Sequence, residues 1–301
     1  MRQVEIRRSG RRWLAMAAGV LLMAGASATS ADAGELELVE EGVLTVAFNG
    51  DMPGTGYQDG ALIGIDGELM MWVADKLGLK VKPALMEWAA EIASVKARRV
   101  DIMHGMMGWT QQRTEVISIS DPIYYGGANL TQKTGTNYST IQDMRDHSIA
   151  TIQGFGWIPD LKKLNPDLRL YDTSDQAVRD LLAGRYEILL ADPPLIKWVI
   201  EKNPDWDIHA VPLDAKHDPE LPIITAKWNM VFGMSQEAPN LVKAVNAAIA
   251  EMWESCKNFE VAKKYGFADP FWFEPPAIRQ RQGVDRPEDW EPQVLPEHCK
   301  G

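Results

Sequence analysis

Apolar and polar positions along this chain fall into two alternating rhythms. Val43-Leu44-Thr45-Val46-Ala47-Phe48 is a β-rich run closed by Asn49-Gly50-Asp51 and a Pro/Gly cluster reaching Gly56, which predicts a strand and then a loop. From Ile63 to Leu77 the apolar residues Leu69, Val73 and Leu77 recur at helical spacing, and Gly78 follows as a stop. A strand over 79–85, a short amphipathic helix over 89–98 and a strand over 100–103 come next. The helix has Ile92 and Val95 on its apolar side and Arg98-Arg99 at its C-terminal end, where the macrodipole favours cations. This β-α-β-α-β order predicts a parallel sheet that binds ligands at the C-terminal ends of its strands.

The rhythm then repeats. A strand over 148–152 runs into Gln153-Gly154-Phe155-Gly156-Trp157, with a helix expected through Leu164 and a strand over 168–171. A helix over 175–183 stops at Gly184, and a strand over 186–190 runs into Ala191-Asp192-Pro193-Pro194. A third strand run, Asn229-Met230-Val231-Phe232, precedes a strongly periodic helix over 239–253 and a shorter one over 259–265. From Asp269 onward six prolines interrupt the chain, so an irregular tail laid over the surface is expected. The prediction is an α/β chain of two lobes.

Composition changes the picture in three ways. The first 33 residues hold a basic start, an apolar stretch from Trp13 to Ala26 and Ala31-Asp32-Ala33, the pattern of an export signal cleaved near Ala33. The stretch is too short to span a hydrocarbon core of ~30 Å. The chain carries a net charge of −11, which argues against nucleic acid or an anionic membrane surface as a partner. It has two cysteines, Cys256 and Cys299, which become a disulfide candidate in an oxidising compartment. Two unpaired thiols are the alternative.

Several motifs in order resemble the family 3, amino-acid-type extracellular solute-binding proteins of ABC importers. They are Gly42-Val43-Leu44-Thr45-Val46, Asp51 with Gly56-Tyr57, and Gly64-Ile65-Asp66-Gly67-Glu68-Leu69. Ala97-Arg98-Arg99-Val100-Asp101 with Thr110-Gln111-Gln112-Arg113, and Ile119-Ser120-Asp121-Pro122-Ile123-Tyr124-Tyr125, complete the set. The resemblance covers roughly residues 40–268. It implies the periplasmic-binding-protein type 2 fold, each lobe a mixed, mainly parallel sheet flanked by helices, joined by a two-strand hinge. Residues 34–130 and 227–270 are expected to form lobe 1, 131–226 lobe 2, and 271–301 a Pro/Trp-rich tail.

The resemblance also implies a site. Arg113 matches the arginine that clamps a ligand carboxylate, a task suited to a planar fork of donors. Asp192 matches the aspartate that receives the ligand ammonium, although Asp before Pro is also a common helix N-cap. Trp88 matches an aromatic cover. Asp51 and Tyr57 lie on a loop that lines the cleft, with Gly105, Met106 and Gly108 on the neighbouring strand and Phe155-Gly156 opposite. The family usually has Ser or Thr where Gly108 stands, and Thr beside glycine where Phe155-Gly156 stands. Ile152 and Ala191 also replace polar readers, while Met106, Met107, Trp109 and Trp157 add apolar bulk. A buried polar side chain on the ligand would then lack partners, so a mostly apolar or aromatic carboxylate is expected.

The expected function is a periplasmic, monomeric receptor that binds a small carboxylate and hands it to an ABC permease in the inner membrane. Two alternatives stay open. One is an accessory or sensor protein docking on another exported protein through its tail. The other is an enzyme resembling cyclohexadienyl dehydratases, for which Asp192 and Glu87 are the carboxylates within reach. The five histidines, His104, His147, His209, His217 and His298, show no metal spacing, and no cofactor is expected. His104 alone lies near the cleft strand, where it could touch ligand or core. Asp172, Asp175 and Asp180 read as a solvated helix start and face.

Overall fold

A computed structural model describes residues 36–213, 216–267 and 269–300. The expected export signal, residues 1–33, lies outside the described residues. The chain opens with β1 (Val43–Phe48), a hairpin of β2 (Gly56–Gln58) and β3 (Ala61–Ile63), and α1 (Ile65–Lys76). β4 (Lys80–Leu85), α2 (Trp88–Lys96), β5 (Ile102–Gly108), the single turn α3 (Gln111–Thr114), β6 (Ser118–Ile119) and β7 (Tyr124–Gly126) follow. Next come β8 (Asn129–Lys133), α4 (Ile141–Asp146), β9 (Ile149–Ile152), α5 (Ile158–Leu164) and β10 (Arg169–Tyr171). α6 (Ser174–Leu182), β11 (Ile188–Ala191), α7 (Pro193–Lys202) and β12 (Ile208–Pro212) complete the middle of the chain. The return is β13 (Trp228–Met234), α8 (Pro239–Glu254) and α9 (Lys257–Lys264).

The strands form two main sheets. The first has the order β4-β1-β5-β13-β6, with β7 also on β13, and the second β10-β9-β11-β8-β12. β4-β1-β5 and β10-β9-β11 are parallel, whereas β13, β8 and β12 pair antiparallel with their neighbours. The chain changes sheet twice, between Gly126 and Asn129 and between Pro212 and Trp228. β4 is an edge strand with alternating exposure, where Pro83 costs no ladder bond to an outer neighbour.

Periodicity explains the packing. α1 turns Ile65, Leu69, Met70 and Val73 onto Leu44, Val46 and Ile102, while Val95 of α2 meets Ala47, Met103 and Val231 on the opposite face. In the second sheet Ala150, Leu189 and Ala191 pack on Ala177, Val178 and Leu181 of α6. Each such aliphatic side chain is worth ~1.5–3 kcal/mol on full burial. Polar motif residues tie the frame. The Asp101 carboxylate accepts from the amides of Val39 and Thr45, both at 2.7 Å. Arg98, held at φ 53°, donates to the Glu37 carbonyl at 2.8 Å.

The tail is more than a surface layer. Phe273, on a 3₁₀ turn over Pro270–Phe273, is fully buried with its ring 5.0 Å from that of Phe259 and 6.0 Å from that of Trp253. Arg281 is only 1% exposed, because it donates to the Ser120 carbonyl at 2.9 Å and pairs with Asp285 at 2.7 Å. Arg286 pairs with Asp121 at 2.8 Å, and Trp290 lies near both guanidinium groups. The irregular tail expected from its prolines is thus packed into the molecule as well as laid over it, because prolines exclude regular structure without excluding burial. The Cys256–Cys299 disulfide is formed, with Cα atoms 5.5 Å apart, and pins the end of the tail to the C-terminus of α8.

Candidate functional site

The C-terminal ends of the parallel strands of both sheets face one cavity that opens to solvent at its mouth. The first sheet contributes Asn49 and Asp51 after β1, Glu87 and Trp88 after β4, Gly105, Met106 and Gly108 on β5, and Trp109, Thr110 and Arg113 beyond it. The second contributes Ile152, Gln153, Phe155, Gly156 and Trp157 at and after β9, Asp172 and Thr173 after β10, and Asp192 and Leu195 after β11. Ile223 and Trp228 close it from the return connection. Trp157 and Trp228 pack with centroids 4.5 Å apart, and Trp157 Nε1 donates to Thr151 Oγ1 at 2.8 Å.

Arg113 and Asp192 enter from different sheets. Thr110 caps α3 by accepting from the Arg113 amide at 3.3 Å, which fixes where the side chain starts. The guanidinium donates to the carbonyls of Gly108 and, at 3.5 Å, Gly154, and lies 5.4 Å from the Trp88 ring centroid. Burial pushes Arg113 down to about 10, with Asp192 acting in the opposite direction, so it stays charged at neutral pH. Asp192 occupies the N-cap position of α7, yet its side chain makes no cap hydrogen bond. It is only 7% exposed and has no side-chain hydrogen bond among the described residues. Burial, and then the charges of Asp66 and Asp51, raise it to about 7 against the pull of Arg113.

The cavity floor depends on a kink in β5. Gly105 has φ 155° and Met106 φ 53°, opposite the register shift between Val231 and Gly233 in β13. A Cβ on Gly105 would stand 3.0 Å from Asn49 Oδ1 and 3.3 Å from Trp88 Cζ3, so conformation and space both select glycine. Fully buried Asp66, near the start of α1, holds the kink. Its carboxylate accepts from the Met106 amide at 2.6 Å and the Tyr124 hydroxyl at 2.7 Å. Burial raises Asp66 to about 6 despite those bonds. Gly154 and Gly156 let the two walls approach: a Cβ on Gly154 would stand 3.0 Å from Trp88 Cδ1, and one on Gly156 3.1 Å from Thr110 Cγ2.

A sequence profile of the bacterial extracellular solute-binding proteins, family 3, matches residues 44–268. The chain belongs to this family. The L-cystine-binding protein TcyJ of Escherichia coli is 28% identical over 268 residues, covering 86% of this chain and 97% of that protein. The arginine-binding extracellular protein ArtP of Bacillus subtilis is 21% identical over 251 residues, covering 81% and 92%. An ancestral arginine-binding protein bound to arginine superposes with a TM-score of 0.64 at 20% identity, over 74% of this chain and 98% of that one. The GluR0 ligand-binding core with L-glutamate gives 0.65 at 18%, over 74% and 97%. The fold is thus that of the type 2 periplasmic binding proteins, and the named sequence relatives are binding proteins. Among the described residues, no helix is long and apolar enough to cross a membrane.

In this solute-binding protein, nine of the residues expected at the site, Asp51, Trp88, Gly105, Met106, Gly108, Arg113, Phe155, Gly156 and Asp192, line the one cavity. Tyr57 does not. It lies on the β2–β3 hairpin, 50% exposed, with its ring 6.4 Å from that of Phe48, in a shallow groove with Leu85. The hairpin, which the loop reading omitted, carries it out of the cleft. Met107 points into the core beneath α2, because strand alternation sends it to the face opposite Met106. His104 is a core residue, fully buried beside Phe48 and Phe232; burial pushes it down to about 3, so the ring is neutral.

The expectation of a mostly apolar compartment counted too few positions. Gly108 and Ile152 do lack polar side chains, but Asn49, Glu87, Thr110, Gln153, Asp172 and Thr173 share the wall. Asp172, read as a solvated helix start, is the strand-end residue before the Thr173 cap of α6. Its position after a parallel strand was the available signal. Asp66 was visible only as part of a motif; its burial beneath the site follows from β5 and α1 packing together.

Proposed function

We propose that this protein is an exported receptor that captures a small amino-acid-type carboxylate in the cavity and delivers it to an ABC importer. The observation that carries this reading is the opposed pair: a guanidinium from one sheet and an unpartnered buried carboxylate from the other, facing one space. A zwitterion supplies the missing partner to each, its carboxylate to Arg113 and its ammonium to Asp192. Trp88 and Phe155 cover the ligand body, Gly105, Met106, Gly108 and Gly156 let backbone and thioether approach it, and Asp51 bounds its far end. The relatives named for cystine and arginine binding support an amino-acid ligand.

In the same reading, residues 34–130 and 227–270 form lobe 1 and 131–226 lobe 2, and the two crossings between sheets act as a hinge. The protein works as a monomer in the periplasm, after cleavage near Ala33, beside an inner-membrane permease. Native mass spectrometry of protein purified without refolding tests the ligand class directly. A bound mass matching an amino acid, displaced by excess free amino acid and lost in Arg113→Ala, is the expected result. Empty protein that binds none of the twenty amino acids in calorimetry would overturn it.

A further inference from the structure

The tail reaches both places where the chain changes sheet. The first crossing holds Gly127 and Ala128, and the second ends at Ala226 and Lys227, just before β13. The two touch, with the Leu213 amide donating to the Ala128 carbonyl at 3.1 Å. On the first, the Trp272 ring covers Gly127 so closely that a Cβ there would stand 3.2 Å from Trp272 Cζ3. On the second, Lys227 Nζ donates to the Phe271 carbonyl and lies 3.7 Å from the Phe271 ring centroid. Phe271 and Trp272 belong to the 3₁₀ turn that buried Phe273 anchors beside Trp253 and Phe259. Both crossings are thus clasped to the first-sheet side of the molecule.

A further link bypasses the crossings. Gln280 Nε2 donates to the Pro222 carbonyl at 3.2 Å. Chain neighbours anchor the two ends of this bond to different frames. Arg281, next to Gln280, is buried and donates to the Ser120 carbonyl between β6 and β7. Ile223 and Ile224, next to Pro222, donate their amides to buried Asp160 at 2.8 and 3.1 Å. Asp160 lies on α5, which connects β9 and β10 of the second sheet. Lys163 of the same helix donates to the Glu220 carbonyl at 2.6 Å. Pro222 and Gln280 line a groove with Trp109, Thr110, Ile223 and Trp228, which also line the cavity, so the link stands at the cavity's flank. Neither Lys227 nor Gln280 lines the cavity itself.

We infer that the tail is a stop on the hinge: residues 271–280 limit how far the second sheet swings away from the first. The inference rests on the reading of the two crossings as a hinge. Two crossings alone leave rotation about the line that joins them. Opening carries Pro222 away with α5 while Gln280 stays with Ser120, so their bond must break, and Lys227 must leave Phe271. A molecule held by these contacts samples a narrower range of openings than one without them.

Small-angle scattering on the double variant Lys227→Met, Gln280→Ala tests this, with and without an equimolar mixture of the twenty amino acids. Without amino acids the variant should show a larger radius of gyration than wild type. With them it should return to the contracted wild-type value, so its contraction is the greater of the two. An unchanged melting temperature separates a loosened hinge from a loosened fold. If the double variant does not fold, Gln280→Ala alone should shift the radius by less in the same direction. Equal radii for variant and wild type, with both contracting on amino acids, would overturn the stop and leave the hinge reading standing. A variant more compact than wild type would also overturn it, by showing that the tail props the cavity open. Radii that stay constant in both proteins, with and without amino acids, would overturn the hinge reading and this inference together.

Discussion

Asp192 has to be charged to receive an ammonium, yet it is buried without a partner until one arrives. Its carboxyl at about 7 makes ligand affinity depend on pH. The groups facing it are Arg113, which lowers that value, and Asp66 and Asp51, which raise it. Affinity should be level above pH 7.5 and fall by about tenfold per unit well below 7, measured by calorimetry across pH 5–8. Stability runs the other way. The folded carboxyl lies above its ordinary value of 3.8, so the ligand-free fold holds a proton that the unfolded chain has released. That contribution is complete below about pH 4 and is lost as pH rises through 7. Asp192→Asn should therefore raise the ligand-free melting temperature at pH 8 while abolishing tight binding, a gain on the order of 1–3 kcal/mol. A variant that is less stable than wild type at pH 8 would contradict this account of Asp192.

Arg113→Ala leaves a ligand carboxylate buried and unpaired, and should cost ~2–5 kcal/mol in binding. Arg113→Lys should recover only part, because a point charge lacks the fork. Wild-type affinity for Arg113→Ala would remove Arg113 from the site. Glu91 is a second strained acid. It is fully buried on α2, both carboxylate oxygens lack a hydrogen-bond partner, and burial followed by Asp51 and Asp66 raises it to about 9. Glu91→Met should be more stable than wild type, with the difference growing from pH 5 to pH 9 in denaturant titrations. A gap that stays constant with pH would show that Glu91 does not hold its proton in the fold.

At the scale of elements, the tail carries the clearest prediction. Phe273→Ala removes a fully buried ring and should cost ~3–5 kcal/mol. Replacing Cys256 and Cys299 by Ser opens a loop that spans 43 positions, worth ~4 kcal/mol in the chain-entropy description. The same change should expose residues 275–295 to protease, read by mass mapping of the fragments. Protection equal to wild type would mean that Arg281, Arg286 and Phe273 hold the tail alone.

Elements with one strong period were legible in the amino-acid order. α1, α6, α8 and β1 fall within a few residues of their expected bounds, because each helix has one face to bury, β1 is a short continuous apolar run buried on both faces, and each has a Gly, Pro or Thr at its edge. The stretch from Tyr124 to Lys133 was not. Gly126 and Gly127 dilute its β signal, and its pairing with β13 and β11 comes from residues about 60 to 100 positions away. The site divides in the same way. Arg113, Asp192 and Trp88 stand at motif positions that can be read one by one. Asp172 and Trp228 reach the cavity only through sheet order and the return crossing, which no local pattern states. Tyr57 was misplaced because a three-residue hairpin turns it outward.

At the scale of the whole molecule, the cavity is closed by contacts between segments that leave different sheets. The Gly154 carbonyl meets Arg113, and its Cα faces Trp88. Gly154→Val adds a branched side chain at φ 88° where even a Cβ comes to 3.0 Å from Trp88. This variant should stay open when ligand is added. Small-angle scattering checks it: wild type should contract with ligand, and the variant should keep its ligand-free radius. Contraction equal to wild type would rule out Gly154 as the closing contact.

The route of the chain also bears on when the protein can fold. β13, which lies between β5 and β6, begins at Trp228, and the buried Phe273 and Arg281 come later still. A chain leaving the ribosome from its N-terminus therefore cannot complete its first sheet until Met234 has been made, and its disulfide waits for Cys299. The middle sheet, whose strands lie between Asn129 and Pro212, is complete earlier. Nascent chains halted near residue 255, with the middle sheet outside the exit tunnel and β13 still within it, should show protease protection within 129–212 and none within 43–126. Protection of the earlier segment at that length would contradict this order. Such a delay keeps most of the polypeptide extensible while it is being synthesised, a kinetic property useful to any protein that has to be threaded through a narrow pore before it folds.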